Sequence, residues 1–163
     1  MPRRRWIEDG LVQEAPHMTE AYKPYVSEAW GCVTRARESF MAKDWEKLDF
    51  WSRLACTIGA TAMCYSRGYE PAREFDVRLA RDYCFDTFGT SGDEVFTRAE
   101  IVGEFLPVDY EIDESRHRLF EKSLASTSEL VALIECHIAA EKRPPEPPGD
   151  PHVCYPRQGR RYY

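Results

Sequence analysis

Nowhere in the 163 residues do apolar side chains run on for the roughly eighteen positions that a membrane-crossing helix requires. The opening MPRRRWIEDG has a basic run with no apolar stretch behind it, so no secretory signal is expected and the chain reads as cytoplasmic. In that compartment the six cysteines stay reduced, and no C-x-x-C pair exists to suggest a zinc or redox centre. Also missing are the G-x-S-x-G elbow of serine hydrolases and the G-x-x-x-x-G-K-[ST] frame of a phosphate-binding loop. The pair Gly89 and Gly92 in GTSGDE has no lysine beside it and reads as turn chemistry.

Histidines are few: His17, His117, His137 and His152. Glu114 and His117 stand at Glu-x-x-His spacing, yet no second copy follows, and di-iron bundles need two. No metal and no cofactor is therefore assigned. The formal charge is −6, and six arginines sit at the two ends, Arg3 to Arg5 and Arg157, Arg160 and Arg161. With those set aside the remainder is twice as negative, which argues against duplex nucleic acid as a partner because phosphate binding needs clustered Lys and Arg.

What the sequence does contain is helical periodicity. Val26, Trp30, Val33, Ala36 and Phe40 step by three or four and predict a helix over 20–42, with Pro24 near its start. Asp44 is placed to cap a second helix, whose stripe runs Leu48, Trp51, Ala55, Ile58, Ala62 and Tyr65 and which Gly68 ends. Cys56 and Cys64 lie eight apart, about 12 Å along a helix axis, too far to share one metal. With Ala55, Gly59, Ala60 and Ala62 they form a seam of small residues against which a neighbouring helix can pack closely.

A third helix is expected from Pro71 to Gly89, with Ala72, Phe75, Leu79 and Tyr83 inward, followed by TSGDE as a polar loop. Thr97 and Glu100 match a capping box and predict a short helix within 93–105, stopped at Leu106-Pro107. Asp113 opens the last helix, whose stripe of Phe120, Leu124, Thr127, Val131, Ile134 and Ile138 runs to about residue 142. The expected architecture is all-α, an up-and-down bundle of four to five helices over 19–142. A basic N-terminal extension, 1–18, precedes it, and a flexible Pro-rich, Tyr- and Arg-containing tail, 143–163, follows. In that tail PPEPP has the composition of an extended polyproline ligand.

The order of a long helix, the turn AKDW, an alanine-rich helix with aromatics, RGYEP, and a helix beginning REFDVRLARDY resembles the HEPN superfamily of small helical bundles. The likeness covers about Ser27 to Tyr83 and extends toward Ala140. It implies a bundle that commonly dimerises, often in toxin–antitoxin, phage or defence systems. The family's ribonucleases carry an arginine followed, after four to six residues, by a histidine, and none of the four histidines here has one at that distance. No catalytic residue is carried over.

The functional expectation is a non-enzymatic interaction or regulatory protein that binds a macromolecular partner, with a protein partner favoured, a homodimer as one form of it, and no membrane. Trp6, Trp45, Tyr155, Tyr162 and Tyr163 are the candidate partner-binding anchors, being of types enriched at binding hot spots. The alternative is a HEPN-type ribonuclease or toxin with a displaced active site, for which His117, His137, Arg116 and Arg118 are the candidate catalytic groups. That alternative requires a histidine and an arginine (Arg116, Arg118 or Arg53) to share one cleft.

Overall fold

The structure, a computed structural model, describes residues 4–144. Among the described residues six helices carry the fold: α1 (Arg4–Glu8), α2 (Tyr22–Met41), α3 (Trp45–Ser66), α4 (Val77–Phe88), α5 (Thr90–Ala99) and α6 (Glu114–Glu141). Among the described residues the only strands are β1 (Val12–Glu14) and β2 (Tyr69–Pro71), a two-stranded antiparallel ribbon with Val12 opposite Pro71 and Glu14 opposite Tyr69. The all-α bundle expected from periodicity is the observed one. No helix among the described residues is long and apolar enough to cross a membrane.

Local chemistry explains the element ends. Asp44, Asp76 and Asp113 each accept a hydrogen bond from the backbone N–H three residues on, so α3, α4 and α6 start where a carboxylate satisfies an orphan donor. Only 42–44 separate α2 from α3, and Lys43 closes the turn with φ +59, a left-handed conformation uncommon for a residue with a side chain. Gly68, at φ +85, ends α3 and turns the chain into β2.

The core falls into three clusters, and α3 contributes to every one. Cys56, Met63 and Cys64 meet Trp6, Tyr83, Phe96, Ile134 and Ile138. Ala55 and Ile58 meet Val33 and Val131. Trp45 and Leu48 meet Phe40, Val102 and Phe120. The small-residue seam has the use assigned to it, because a Cβ on Gly59 would lie 2.8 Å from Ile134 Cδ1 of α6. Cys32, Cys56, Cys64 and Cys84 are buried free thiols. Burial pushes the Cys64 thiol up to about 12 against the pull of the Tyr83 hydroxyl and Arg67.

Three local expectations are corrected. Pro71 opens no helix; it ends β2, on a ribbon whose two strands are both edges and so tolerate a missing N–H. TSGDE is not a loop but the start of α5, because Gly89, at φ +69, turns the chain alone, and Gly92 lets α5 fold back on α4. A Cβ on Gly92 would stand 2.6 Å from Phe88 Cβ and 3.1 Å from the Cys84 carbonyl oxygen. The Thr97/Glu100 pair caps nothing at an N-terminus: Thr97 lies inside α5, its hydroxyl donating to the Asp93 carbonyl, and Glu100 follows the helix end.

Candidate functional site

The four candidate catalytic side chains do not converge. His117 and His137 stand twenty residues apart on α6, about 30 Å along its axis, so they cannot serve one reaction centre. His117 leans on the rings of Phe40 (5.0 Å) and Trp45 (6.4 Å). It lines a cleft of about 520 Å³ with Lys43, Trp45 and the segment 108–112. Asp109 and Glu111 share that cleft with Lys43, a mixture with no single charge preference. Arg116 points elsewhere, its guanidinium over Phe105 and Tyr110 and donating to the Tyr110 hydroxyl. Arg118 turns to Glu114 at 2.6 Å on an exposed flank. Arg53 is bound to Asp49 at 2.8 Å and lines a different hollow.

His137 does meet an arginine, one that no local spacing pointed to. Arg67, just past the end of α3, is 6% exposed in its side chain and spends its donors internally. Its Nε donates to both Glu141 carboxylate oxygens (3.2 and 3.3 Å). Nη1 donates to the Tyr83 hydroxyl and Thr87 Oγ1 (each 3.2 Å), and Nη2 lies 2.8 Å from His137 Nε2. His137 Nε2 also stands 3.3 Å from Glu141 Oε2, so the imidazole edge sits between the guanidinium and the carboxylate. Burial alone would raise the Glu141 carboxyl, but the charge and hydrogen bonds of Arg67 outweigh it and hold that group below its ordinary value. Burial also pushes the Tyr83 phenol far up, so it stays a neutral donor and acceptor. A guanidinium so enclosed acts as a latch between α3, α4 and α6, with no face left for a phosphate.

A second polar network ties α3 to α4 and α5. Arg81 reaches Asp93 (2.9 Å), Thr97 (2.6 Å) and Glu100 (3.5 Å), while Arg53 approaches Glu100 from the other side at 3.9 Å. Desolvation raises Glu100 despite both arginines. Among the described residues no three His, Cys, Asp or Glu side chains converge in a way that could hold a metal ion.

The tryptophan anchors are corrected. Trp6 is fully buried, packed on Tyr83 (5.1 Å) and Phe75 (6.0 Å), with its indole N–H donating to Asp86 at 2.7 Å. Residues read as a loose extension thus reach the core, because Trp6 has an apolar site and a carboxylate eighty positions away. Trp45 is 8% exposed and joins α2 to α6 through Phe40 (5.8 Å) and Phe120 (5.1 Å). Trp6 therefore has no exposed surface, and Trp45 shows only the small part that lines the His117 cleft. Tyr155, Tyr162 and Tyr163 lie outside the described residues.

What the surface offers instead is a trough along the outer face of α3. One end is a hollow of about 380 Å³ lined by Phe50, Leu54, Phe75 and Val77, with Asp49, Arg53 and Asp76 at its rim. Phe50 is 55% exposed there. The other end is a hollow of about 420 Å³ that shares Leu54, Thr57 and Phe75 and continues to Tyr25, Tyr65 and Pro71, rimmed by Glu28, Arg73 and Glu74. Tyr25 and Tyr65 stack at 5.1 Å and 13°. Burial first, then the Tyr25 hydroxyl, pushes the Tyr65 phenol up to about 12. A second stripe, Phe50, Leu54, Thr57, Thr61 and Tyr65, was present in the sequence at steps of three and four, beside the stripe that enters the core. No protein-family model, curated protein or solved structure matches the chain, and its function has to be argued from this surface.

Proposed function

We propose that the chain is a non-enzymatic interaction or regulatory protein whose α3 trough receives a segment of a protein partner. The observation that carries this reading is Phe50, more than half exposed on the lip of an apolar hollow while the strongest potential catalytic pair, Arg67 and His137, is locked in an internal latch. The occupant has a definable chemistry. Asp49 is taken up by Arg53 and Asp76 by the start of α4, but Glu28 and Glu74 at the other end have no ion-pair partner among the described residues, which suits an apolar side chain flanked by Lys or Arg. The resemblance to HEPN bundles enters as scaffold alone, with the ribonuclease residues absent.

A displayed library of random peptides, selected on the purified chain, tests the reading. Enriched peptides should place an aliphatic or aromatic residue beside Lys or Arg. Phe50→Asp should weaken them by about tenfold or more, as loss of a central anchor does. Phe85→Asp, at a comparably exposed aromatic of α4, should leave binding unchanged. Enriched peptides indifferent to Phe50→Asp would overturn the assignment. Single-stranded RNA cleaved by the wild type, and not by a His117→Ala, His137→Ala double variant, would replace it with the ribonuclease alternative.

A further inference from the structure

The cleft that His117 lines combines unspent charges of both signs with an apolar wall. We propose that it binds a small zwitterion, an α-amino acid with an apolar side chain, taken either free or as a short peptide. At about 520 Å³ the cleft falls within the range of small-molecule sites. Its polar groups are free for a ligand. Lys43, Asp109 and Glu111 have no ion-pair partner among the described residues, and the ring nitrogens of His117 have no hydrogen bond there. Elsewhere on the chain Arg5, Arg67 and Arg81 are each paired within the fold. The Trp45 indole N–H also lacks an acceptor among the described residues. Ser52 Oγ is the one side-chain atom there left enclosed without a partner, so the indole nitrogen is open to the cleft that its ring lines.

These groups divide by chemistry. The Lys43 ammonium, the indole N–H and the imidazole N–H, which either tautomer supplies, are donors for a carboxylate. Asp109 and Glu111 are acceptors for an ammonium group. Val108, Ile112 and Trp45 belong to the cluster around Phe40 and Phe120 and give an apolar side chain a surface to cover. A phosphate would meet two carboxylates here and a simple cation would meet Lys43, whereas a zwitterion satisfies both signs. The parts are also held in place. His117 packs on Phe40 at 5.0 Å and on Trp45 at 6.4 Å, which fixes its ring. Tyr110, between the two acids, accepts a hydrogen bond from Arg116 and lies under its guanidinium, so their segment is tied to α6. Lys43 keeps φ +59 where glycine would be unstrained, and a strained residue whose free ammonium lines a cleft points to a ligand rather than to stability. The inference goes beyond the proposed function and stands apart from it, since none of these residues lines the α3 trough.

Calorimetric titration of the full chain with L-leucine, L-phenylalanine and L-leucyl-L-leucine decides it, with NMR of the tryptophan indole N–H signals to place the ligand. At least one probe should bind with Kd below about 1 mM and move the Trp45 signal, assigned through Trp45→Phe. Tighter binding of the free amino acids or of the dipeptide identifies the source. The amide and the N-acetyl derivative of the probe that binds, each lacking one charge, should bind at least about tenfold more weakly. Lys43→Gly should weaken binding by about tenfold without lowering the urea midpoint, so that lost binding is not lost folding. The double variant Asp109→Asn, Glu111→Gln should weaken it by a similar factor. Phe50→Asp should leave it unchanged, and the peptide selection at Phe50 is unaffected by any of these results. No binding below about 1 mM by any probe, equal binding of the derivatives, wild-type affinity in Lys43→Gly, or a Trp45 signal that stays still on binding would each overturn the inference.

Discussion

Replacing Arg67 by alanine removes one side chain and leaves four groups to find new partners. Glu141 and His137 are each about a third exposed in their side chains (31% and 29%), so water can solvate them and their share of the loss is modest. Tyr83 has no such recourse: it is 1% exposed, and without Arg67 its hydroxyl keeps, among the described residues, the Cys64 thiol as a partner, whereas Thr87 is half-buried and still donates to the Tyr83 carbonyl. Leaving a buried polar group poorly satisfied costs about 1–3 kcal/mol, and the void left by the long side chain adds to that. Arg67→Ala is therefore expected to cost about 3 kcal/mol, toward the lower end of what breaking a buried ion pair costs.

Urea unfolding followed by circular dichroism measures the loss as a fall in midpoint at unchanged slope. Arg67→Lys keeps the charge but cannot present five donors as a planar fork, and about half the stabilisation should be lost. In the Tyr83→Phe background the hydroxyl is already gone, so the same alanine change should cost about 1 kcal/mol less, the coupling a double-mutant cycle reads. A cost for Arg67→Ala below about 1 kcal/mol, the range of exposed ion pairs, would refute the latch.

Lys43→Gly should raise stability by about 0.5–1 kcal/mol, because glycine adopts φ +59 without the penalty a side chain incurs and the Lys43 ammonium has no partner to lose among the described residues; an unchanged urea midpoint would count against it. Glycine replacement elsewhere should split in sign. Gly31→Ala meets nothing within 4 Å inside α2 and should gain about 0.5–1 kcal/mol, whereas Gly92→Ala drives a Cβ against Phe88 and the Cys84 carbonyl and should lose about 1–3 kcal/mol, both read from thermal melts. Acid should loosen the α6 end. The folded carboxyl of Glu141 lies below its ordinary 4.5, so its contribution is complete above that value and is lost as pH falls through the folded one. Stability between about pH 5 and pH 3 should thus fall less steeply in Glu141→Gln than in the wild type, while Glu100, shifted upward, works in the opposite sense.

Features set by neighbours in the chain were legible in the sequence. Asp44 and Asp113 cap where a short polar side chain precedes an apolar period, and Gly68 and Gly89 end helices where a left-handed residue is needed. The seam at Gly59 was legible for the same reason, as a run of small residues on one face. What escaped was set by distance. Three-residue strands are too short to show a period, so the ribbon left no trace. The burial of Trp6 depends on Asp86, and the role of Arg67 depends on a histidine seventy residues away. Neither pairing has a local signature, and both arise only once α4 and α6 are laid against α3.

The same distinction bears on the proposed function. Strong charges on this chain are largely neutralised by one another: Arg67 by Glu141, Arg81 by Asp93 and Glu100, Arg5 by Asp86. An ion pair satisfied within the fold has little left to offer a ligand, so these arginines hold helices together rather than hold phosphate. Apolar surface follows the opposite rule. Phe50 remains more than half exposed beside Leu54 and Val77, although the inward stripe of α3 is filled by Ile58, Ala62 and their neighbours, so the fold had enough apolar side chains to close its core without it. Leaving Phe50 in water costs burial energy that a polar residue at the same lip would not, about 25 cal/mol for each Å² left uncovered. Under the proposed function a partner that covers the lip recovers that cost, which is the physical ground for testing the trough along α3 before the histidines.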